Sequence, residues 1–570
     1  MPFIPTSRKE LNTLGWDYLD VILFSGDAYV DHPSFGTAVI GRVLEAAGYR
    51  VAIVPQPNWR DDRRDFKKLG QPRLFFGVTS GCMDSMVNHY TANKRLRSND
   101  AYTPGGKAGF RPDYATTVYA KILRQLFPET PVILGGIEAS LRRLTHYDYW
   151  SDALRPSILA ESRADLLVYG MGETPVREIA RRLAGGEPVR QLRDIPQTAY
   201  WAPGSECVAA GDVKLHSFEE CVKNKYKFAE NFAVIEREAN KKESRQRLTE
   251  SACGGYVAVN PPAPPMTEKE IDASFDLPYM RTPHPRYKGK HIPAYEMIKH
   301  SVTIHRGCFG GCSFCTIAAH QGRFIISRSE QSILREVENI TQMDGFKGYL
   351  SDVGGPSANM YGMKGKDEKM CAKCLRNSCI FPRICGNLHT GHSRLSMLYG
   401  TLRKHKAIKK AFIGSGIRYD LFLDENGFTD ASGEEYFEDL LRHHVSGRLK
   451  VAPEHTEQHV LQVMRKPSFA LFEKLKELFD TQNREEALRL QLIPYFISAH
   501  PGCTESDMQR LAKKLRRLSM HPEQVQDFTP TPMTHASAMF YTGIDPVTMR
   551  KVFVPRVKTE KLRQKEWFFR

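Results

Sequence analysis

Five short runs are apolar at nearly every position: Val21-Ile22-Leu23-Phe24, Val51-Ala52-Ile53-Val54, Leu74-Phe75-Phe76-Gly77-Val78, Val132-Ile133-Leu134 and Leu166-Leu167-Val168-Tyr169. Segments long enough for a helix separate them. A strand apolar on both sides is buried on both faces, as in a parallel sheet covered by helices. Residues 1–200 therefore read as a doubly wound, Rossmann-like α/β domain. Several runs end in glycine, at Gly26, Gly81, Gly135-Gly136 and Gly170-Met171-Gly172-Glu173. Glycine past a strand's C-terminus lets a ligand approach the backbone, although it also serves plain tight turns.

The alternation stops near residue 200. Phe218 to Glu250 is rich in Lys, Glu and Arg and reads as an exposed connecting helix. Gly254-Gly255 and Asn260-Pro261-Pro262-Ala263-Pro264-Pro265 then suit neither helix nor central strand. Residues 201–295 are accordingly taken as a charged helical and Pro-rich linker. From His300 the β/α pattern resumes, with candidate strands Val302-Ile304, Gly348-Val353, Ala411-Ile413, Leu449-Ala452, Leu490-Ile497 and Val525-Phe528. Six such units with right-handed crossovers make a partial (βα)6 barrel of TIM type over 296–545, with its chemistry at the C-terminal ends of the strands. Residues 546–570 read as a basic C-terminal tail.

No window approaches 18 uninterrupted apolar residues, and the first ten residues lack a basic segment followed by an apolar core. The expectation is a cytoplasmic protein without a membrane partner. Twelve cysteines among 570 residues are too dilute for a secreted disulfide framework, yet seven fall between 308 and 385. Such clustering in a reducing compartment points to metal.

Three of the seven form Cys308-Phe309-Gly310-Gly311-Cys312-Ser313-Phe314-Cys315, directly after the first strand of the second β/α series. Three thiolates on one glycine-rich loop hold three irons of a [4Fe–4S] cluster and leave the fourth open to a substrate. The alternative is zinc, which needs a fourth ligand such as His305 or His320. The other four, Cys371, Cys374, Cys379 and Cys385, sit in an insert over 364–392. They can complete a metal site unaided, and a second [4Fe–4S] cluster, structural zinc and reduced thiols all remain open.

The net charge is +16 and uneven. Residues 364–410 hold 12 Lys/Arg against Asp367 and Glu368, and residues 550–570 hold 8 against Glu560 and Glu566, which accounts for the whole surplus. Lys and Arg around the insert would offset four thiolates. They also offer a grip on phosphate, so a metal-stabilised RNA-binding protein is the competing reading.

The three-cysteine loop and the strand ends after it resemble the radical S-adenosylmethionine (SAM) superfamily. The resemblance implies that Cys308, Cys312 and Cys315 ligate a [4Fe–4S] cluster whose open iron is chelated by SAM. Reductive cleavage of SAM then yields a 5′-deoxyadenosyl radical, with the electron coming from a donor such as flavodoxin or ferredoxin. Phe314 is implied to lie beside the adenine. Gly354-Gly355-Pro356 stands where the superfamily has Gly-Gly-Glu, which binds the SAM amino group through backbone carbonyls; here Pro356 replaces Glu. Ser415 and Glu454, on later strand ends, line up with further SAM contacts. Three stretches are similar to the YgiQ-type family of radical SAM proteins: Val451 to Pro467, Phe528 to Thr534 and Ser80 to Thr91. That likeness covers nearly the whole chain and implies the chemistry but no substrate. The methylthiotransferase branch, which modifies RNA or protein, is the alternative within the superfamily. The amino-terminal sheet is similar to the cobalamin-binding domains of some radical SAM enzymes. However, Asp31-His32-Pro33-Ser34-Phe35-Gly36 misses the Asp-x-His-x-x-Gly ligand pattern. Cobalamin is therefore not expected, base-off cobalamin being the alternative.

Overall fold

Residues of alternating parity on the five apolar runs enter two separate cores. Val21, Leu23, Val51, Ile53, Phe75 and Ile133 pack on one face, and Ile22, Phe24, Val54, Phe76, Val132 and Leu134 on the other. The computed structural model, which describes residues 2–243 and 245–569, makes them strands β1 (Val21–Ser25), β2 (Val51–Pro55), β3 (Phe75–Thr79), β4 (Val132–Leu134) and β5 (Leu166–Val168). All five are parallel. Helices Gly36–Ala46 and Glu173–Ala184 cover the first face, and Ala115–Leu126 the second.

The sheet does not end there. β6 (Thr198–Pro203), β7 (Val213–Lys214), β8 (Leu248–Ala252) and β9 (Gly255–Val259) extend it to nine strands among the described residues, in the order β2-β1-β3-β4-β5-β6-β9-β8-β7. β6, β9 and β8 run antiparallel to their neighbours, while β7 pairs parallel with β8. The stretch from 201 to 259 expected as linker thus contributes most of four strands. Its helices are present at Phe218–Lys223 and Lys225–Asn240, and the Pro-rich stretch after Val259 is irregular. Cys253 and Gly254, the latter from the Gly254-Gly255 pair read as the end of a segment, form the two-residue turn of the β8–β9 hairpin, and Gly255 opens β9. Both turn residues have positive φ, +54° and +75°, the conformation whose twist matches paired strands.

The second series supplies β10 (Ser301–Thr303), β11 (Tyr349–Leu350), β12 (Asp352–Gly354), β13 (Lys410–Ala411), β14 (Arg448–Glu454), β15 (Gln491–Ser498) and β16 (Gln524–Asp527). β10 pairs with β12, β11 with β13, and β14 with β15 and then β16, all parallel. A parallel bridge between Ile417 and Val451 links the third strand position to the fourth. The six expected strands therefore lie side by side in chain order around one core that includes Val302, Leu350, Val353, Ala411, Leu449 and Phe496.

The basic segment at the end of the chain is docked. In helix Lys558–Glu566, buried Gln564 accepts the Ala499 N–H (2.9 Å) and donates to the Cys503 carbonyl (2.9 Å). Buried Lys561 reaches the Tyr149 hydroxyl at 2.9 Å, tying this helix to the amino-terminal half. No helix among the described residues is long and apolar enough to cross a membrane.

Glu250, on β8, is 1% exposed. One carboxylate oxygen accepts the Thr145 N–H at 2.9 Å. Burial raises its pKa from the ordinary 4.5 to about 7. The folded protein therefore holds this proton where the unfolded chain has released it, so folding stability falls as pH rises from 4.5 to 7. The expected loss is about 3 kcal/mol, and Glu250→Gln should remove it. Chemical denaturation across that range checks this; identical pH slopes for both proteins would refute it.

Candidate functional site

β10 leads into a small antiparallel hairpin of His305–Arg306 with Ile326–Ser327, and the loop between its arms carries Cys308, Cys312 and Cys315. Two of its glycines are sterically required. A Cβ on Gly307 (φ +85°) would meet the Phe324 carbonyl oxygen at 2.1 Å, and one on Gly311 (φ +64°) the Asn377 carbonyl oxygen at 2.4 Å. The loop is fastened from several sides. Cys308 N–H donates to Gly322 O (3.1 Å), Ser313 N–H to Met464 O (3.0 Å) and Ala536 N–H to Ser313 O (2.8 Å). The Ser378 hydroxyl donates to Gly310 O (2.7 Å), and Cys379 N–H to Phe309 O (3.1 Å).

The sulfurs receive donors of their own. Gly310 N–H points at Cys308 Sγ (3.4 Å), with the Ser357 hydroxyl 3.7 Å away, and Arg418 Nη1 donates to Cys312 Sγ (3.4 Å). Arg418 is buried and forked onto Asp420 at 2.8 and 2.5 Å. Burial raises the Cys308 thiol, and burial together with the neighbouring cysteines pushes Cys315 up to about 12. Left alone, those two would stay protonated; a bound metal ionises such thiols outright.

The geometry also bears on which metal fits. Four thiolates at about 2.3 Å from one zinc lie roughly 3.8 Å apart. Among the described residues, the one trio of ligand atoms within 4.8 Å of each other is Glu457, His459 and Asp507. No three cysteine sulfurs form such a group, so no zinc-sized cage is preformed among them. Neither histidine named as a zinc ligand is arranged as one. The His305 ring is fully buried against Gly355, where burial lowers its pKa to about 4. His320 Nδ1 lies 3.1 Å from the Ser140 hydroxyl across the seam with the amino-terminal sheet.

Arg306 and Ile317, which flank this loop, line a cavity of about 550 Å³, large enough for a cofactor-sized molecule. Its floor is the C-terminal ends of β1, β3, β4 and β5, with Gly81, Gly135, Gly136, Gly170 and Gly172 on the wall. The chain passes from β1 to β2 on one side and back to β3 on the other, so the cavity sits at the topological switch point of the sheet, where open α/β sheets bind ligands. The opposite wall includes Val302, Arg306, Asp352, Gly354, Gly355, Pro356 and Ser415. Arg306 and Glu173, an ion pair on the wall, tie the two halves together.

Of the expected SAM-contacting residues, Gly354, Gly355 and Ser415 meet at this wall. The Gly354 carbonyl already accepts the Ile304 N–H at 2.8 Å. Gly355 must lack a side chain, because a Cβ would stand 2.4 Å from the His305 ring. Phe314 and Glu454 are placed elsewhere. The Phe314 ring meets His500 edge-on, centroids 5.9 Å apart, and packs into the core of the second half. Buried Glu454 takes φ +68°, 3.7 Å from Lys466, and burial raises its carboxyl. Cys371, Cys374, Cys379 and Cys385 occupy the neighbouring insert, bonded to the first loop through Ser378 and Cys379. His32, from the cobalamin-like stretch, is fully buried, its Nδ1 accepting the Ser34 N–H at 3.1 Å; Asp31 is committed to a buried pair with Arg42.

Two functional contacts belong to no motif. The reach of Arg418 to Cys312 spans 106 positions. Asp352 accepts Gly414 N–H (2.9 Å), Ser415 N–H (3.2 Å) and the Ser415 hydroxyl (2.5 Å), bracing one strand end on the next. A carboxylate directly before Val353-Gly354 was the available signal.

The Radical SAM N-terminal family model matches residues 3–301, and a domain of unknown function (DUF3362) matches 523–568. A UPF0313 protein of Bacteroides thetaiotaomicron is 59% identical over 100% of this chain and 94% of its own length. UPF0313 protein YgiQ of Escherichia coli K12 is 45% identical over 97% of this chain and 82% of its own. The chain belongs to the radical SAM proteins, and within them to the UPF0313 family that includes YgiQ. Among solved structures it is similar to the radical SAM methyltransferase TsrM of Kitasatospora setae with cobalamin and a [4Fe–4S] cluster bound. That match has 15% identity and a TM-score of 0.49 over 90% of this chain and 76% of TsrM. For the cobalamin-dependent SAM radical enzyme OxsB the values are 12% and 0.49, over 92% of this chain and 55% of OxsB.

Gly355→Ala should force the His305 ring or the cavity wall to move and weaken SAM binding at least about tenfold, whereas Gly211→Ala, whose Cβ enters open space, should not. Anaerobic titration calorimetry checks both; equal affinity in the two variants would contradict the assignment of this wall.

Proposed function

We propose that the chain is a radical SAM enzyme that cleaves SAM reductively and uses the 5′-deoxyadenosyl radical to abstract hydrogen from a substrate held in the cavity between the two halves. The observation that carries this reading is the position of a three-cysteine loop whose flanking residues, Arg306 and Ile317, line a glycine-rich cavity at a sheet switch point. Cys308, Cys312 and Cys315 would hold the cluster, and a [4Fe–4S] cluster with an open iron supplies one electron to the sulfonium of SAM.

The chain's own residues do the rest. Arg418, fixed by Asp420, donates to a ligand sulfur and balances negative charge in a dry setting. Gly354 and Gly355 leave backbone exposed on the wall without side chains in the way, and Asp352 with Ser415 presents acceptors suited to an ammonium or ribose hydroxyls. Pro356 stands where the superfamily's carboxylate would be, so Asp352 is the nearest acidic side chain in this stretch of chain to take its place. The sheet forms one wall of the cavity and limits the approach of water and oxygen that would quench a radical. Apolar residues such as Ile40, Ile133, Val168 and Phe275 make up much of the cavity lining.

Anaerobically reconstituted protein given dithionite and SAM is expected to release 5′-deoxyadenosine, and Cys308→Ala, Cys312→Ala and Cys315→Ala each to abolish it. Wild-type protein with an intact cluster that forms none would overturn the reading.

A further inference from the structure

The insert over 364–392 has little regular structure. It has one short helix, Glu368–Ala372, and an antiparallel bridge of Gly365 with Leu388 at its base, and is otherwise irregular. Its buried apolar residues are Ile380 and Leu388, packed with Phe309, Met360 and Met363. Two such residues are a small core for a segment of this length. Cys371, Cys374, Cys379 and Cys385 are all free of disulfides.

Three of the four sulfurs accept a hydrogen bond. Asn387 Nδ2 donates to Cys371 Sγ (3.3 Å), Arg376 N–H to Cys374 Sγ (3.5 Å) and Arg323 Nη2 to Cys379 Sγ (3.6 Å). A thiol is a weak acceptor, whereas a metal-bound thiolate accepts such bonds strongly and is tuned by them. Gly365 is bare where a Cβ would meet Cys371 Sγ at 2.3 Å. Cys385 N–H donates to the Cys379 carbonyl at 2.8 Å, holding the third and fourth cysteines together. No three of these sulfurs lie within 4.8 Å of one another, wider than the roughly 3.8 Å that one zinc imposes. Exposed Lys364, Lys366, Lys369, Lys373 and Arg383 surround the site and offset an anionic centre.

We propose that Cys371, Cys374, Cys379 and Cys385 hold a second [4Fe–4S] cluster, each iron taking one thiolate. With no iron left open, this centre exchanges single electrons and does not bind SAM. It stands one backbone hydrogen bond, Cys379 N–H to Phe309 O, from the loop of the first centre. This goes beyond the SAM-cleavage reading and is tested apart from it. The Cys308/Cys312/Cys315→Ala triple variant, reconstituted anaerobically, should retain about four irons and four sulfides per chain. Reduced with dithionite, it should show an electron paramagnetic resonance signal that SAM leaves unchanged. The Cys371/Cys374/Cys379/Cys385→Ser variant should keep about four irons and show a signal that SAM shifts. Zinc or no metal in the triple variant, or a signal there that moves with SAM, would overturn the second cluster. Loss of the SAM-dependent shift in the quadruple variant while its irons remain would instead count against the first site.

Discussion

Three cysteine sulfurs brought onto one poorly solvated loop are the constraint on which the rest of this structure depends. Burial raises the Cys308 and Cys315 thiols. A metal centre bound there, with help from a guanidinium, would turn them into stable thiolates. The fold supplies the guanidinium from a different strand end and fixes it with Asp420. It then closes the loop on itself at Gly322 and fastens it to three other parts of the chain: Met464, Ala536 and the insert at Ser378-Cys379. A loop clamped so widely is positioned by the whole second half rather than by its neighbours in sequence.

The same logic explains the seam. The cavity is lined from both halves, and neither half forms it alone. The sheet contributes strand ends from which glycine has removed the side chains, and the β/α array contributes Gly354, Gly355 and Ser415. Polar links hold the halves in register: Arg306 with Glu173, His320 with Ser140, Arg465 with Glu236 at 2.6 Å, and Lys561 with Tyr149. Several of these groups are buried, so removing one partner leaves the other unpaired in a poorly solvated place, which costs more than an exposed pair contributes.

Strands buried on both faces were legible from composition alone, because doubly covered strands leave no polar side to blur the pattern. The three-cysteine loop was legible because its spacing is local. The β8–β9 hairpin was not: Thr249 and Glu250 make Leu248–Ala252 look like surface, and both are buried by contacts with other elements. The final helix looked like a basic tail because the partner of Lys561 lies 412 positions away. Phe314 was read from its place in the cysteine loop and Glu454 from its place at a strand end; the ring contact of the first with His500 and the pairing of the second with Lys466 join residues too far apart in sequence to be read from it. Local chemistry was readable; the direction a side chain takes depends on neighbours that only the folded chain assembles.

At the centre of this chemistry, SAM would meet an open iron held by Cys308, Cys312 and Cys315. Electron–nuclear double resonance on the reduced protein with SAM labelled at its methionine amino nitrogen and carboxylate oxygen tests this most directly. Hyperfine coupling of both labels to the cluster is expected, lost when any of the three cysteines is replaced by alanine. A reduced, SAM-bound protein in which neither label couples would contradict it.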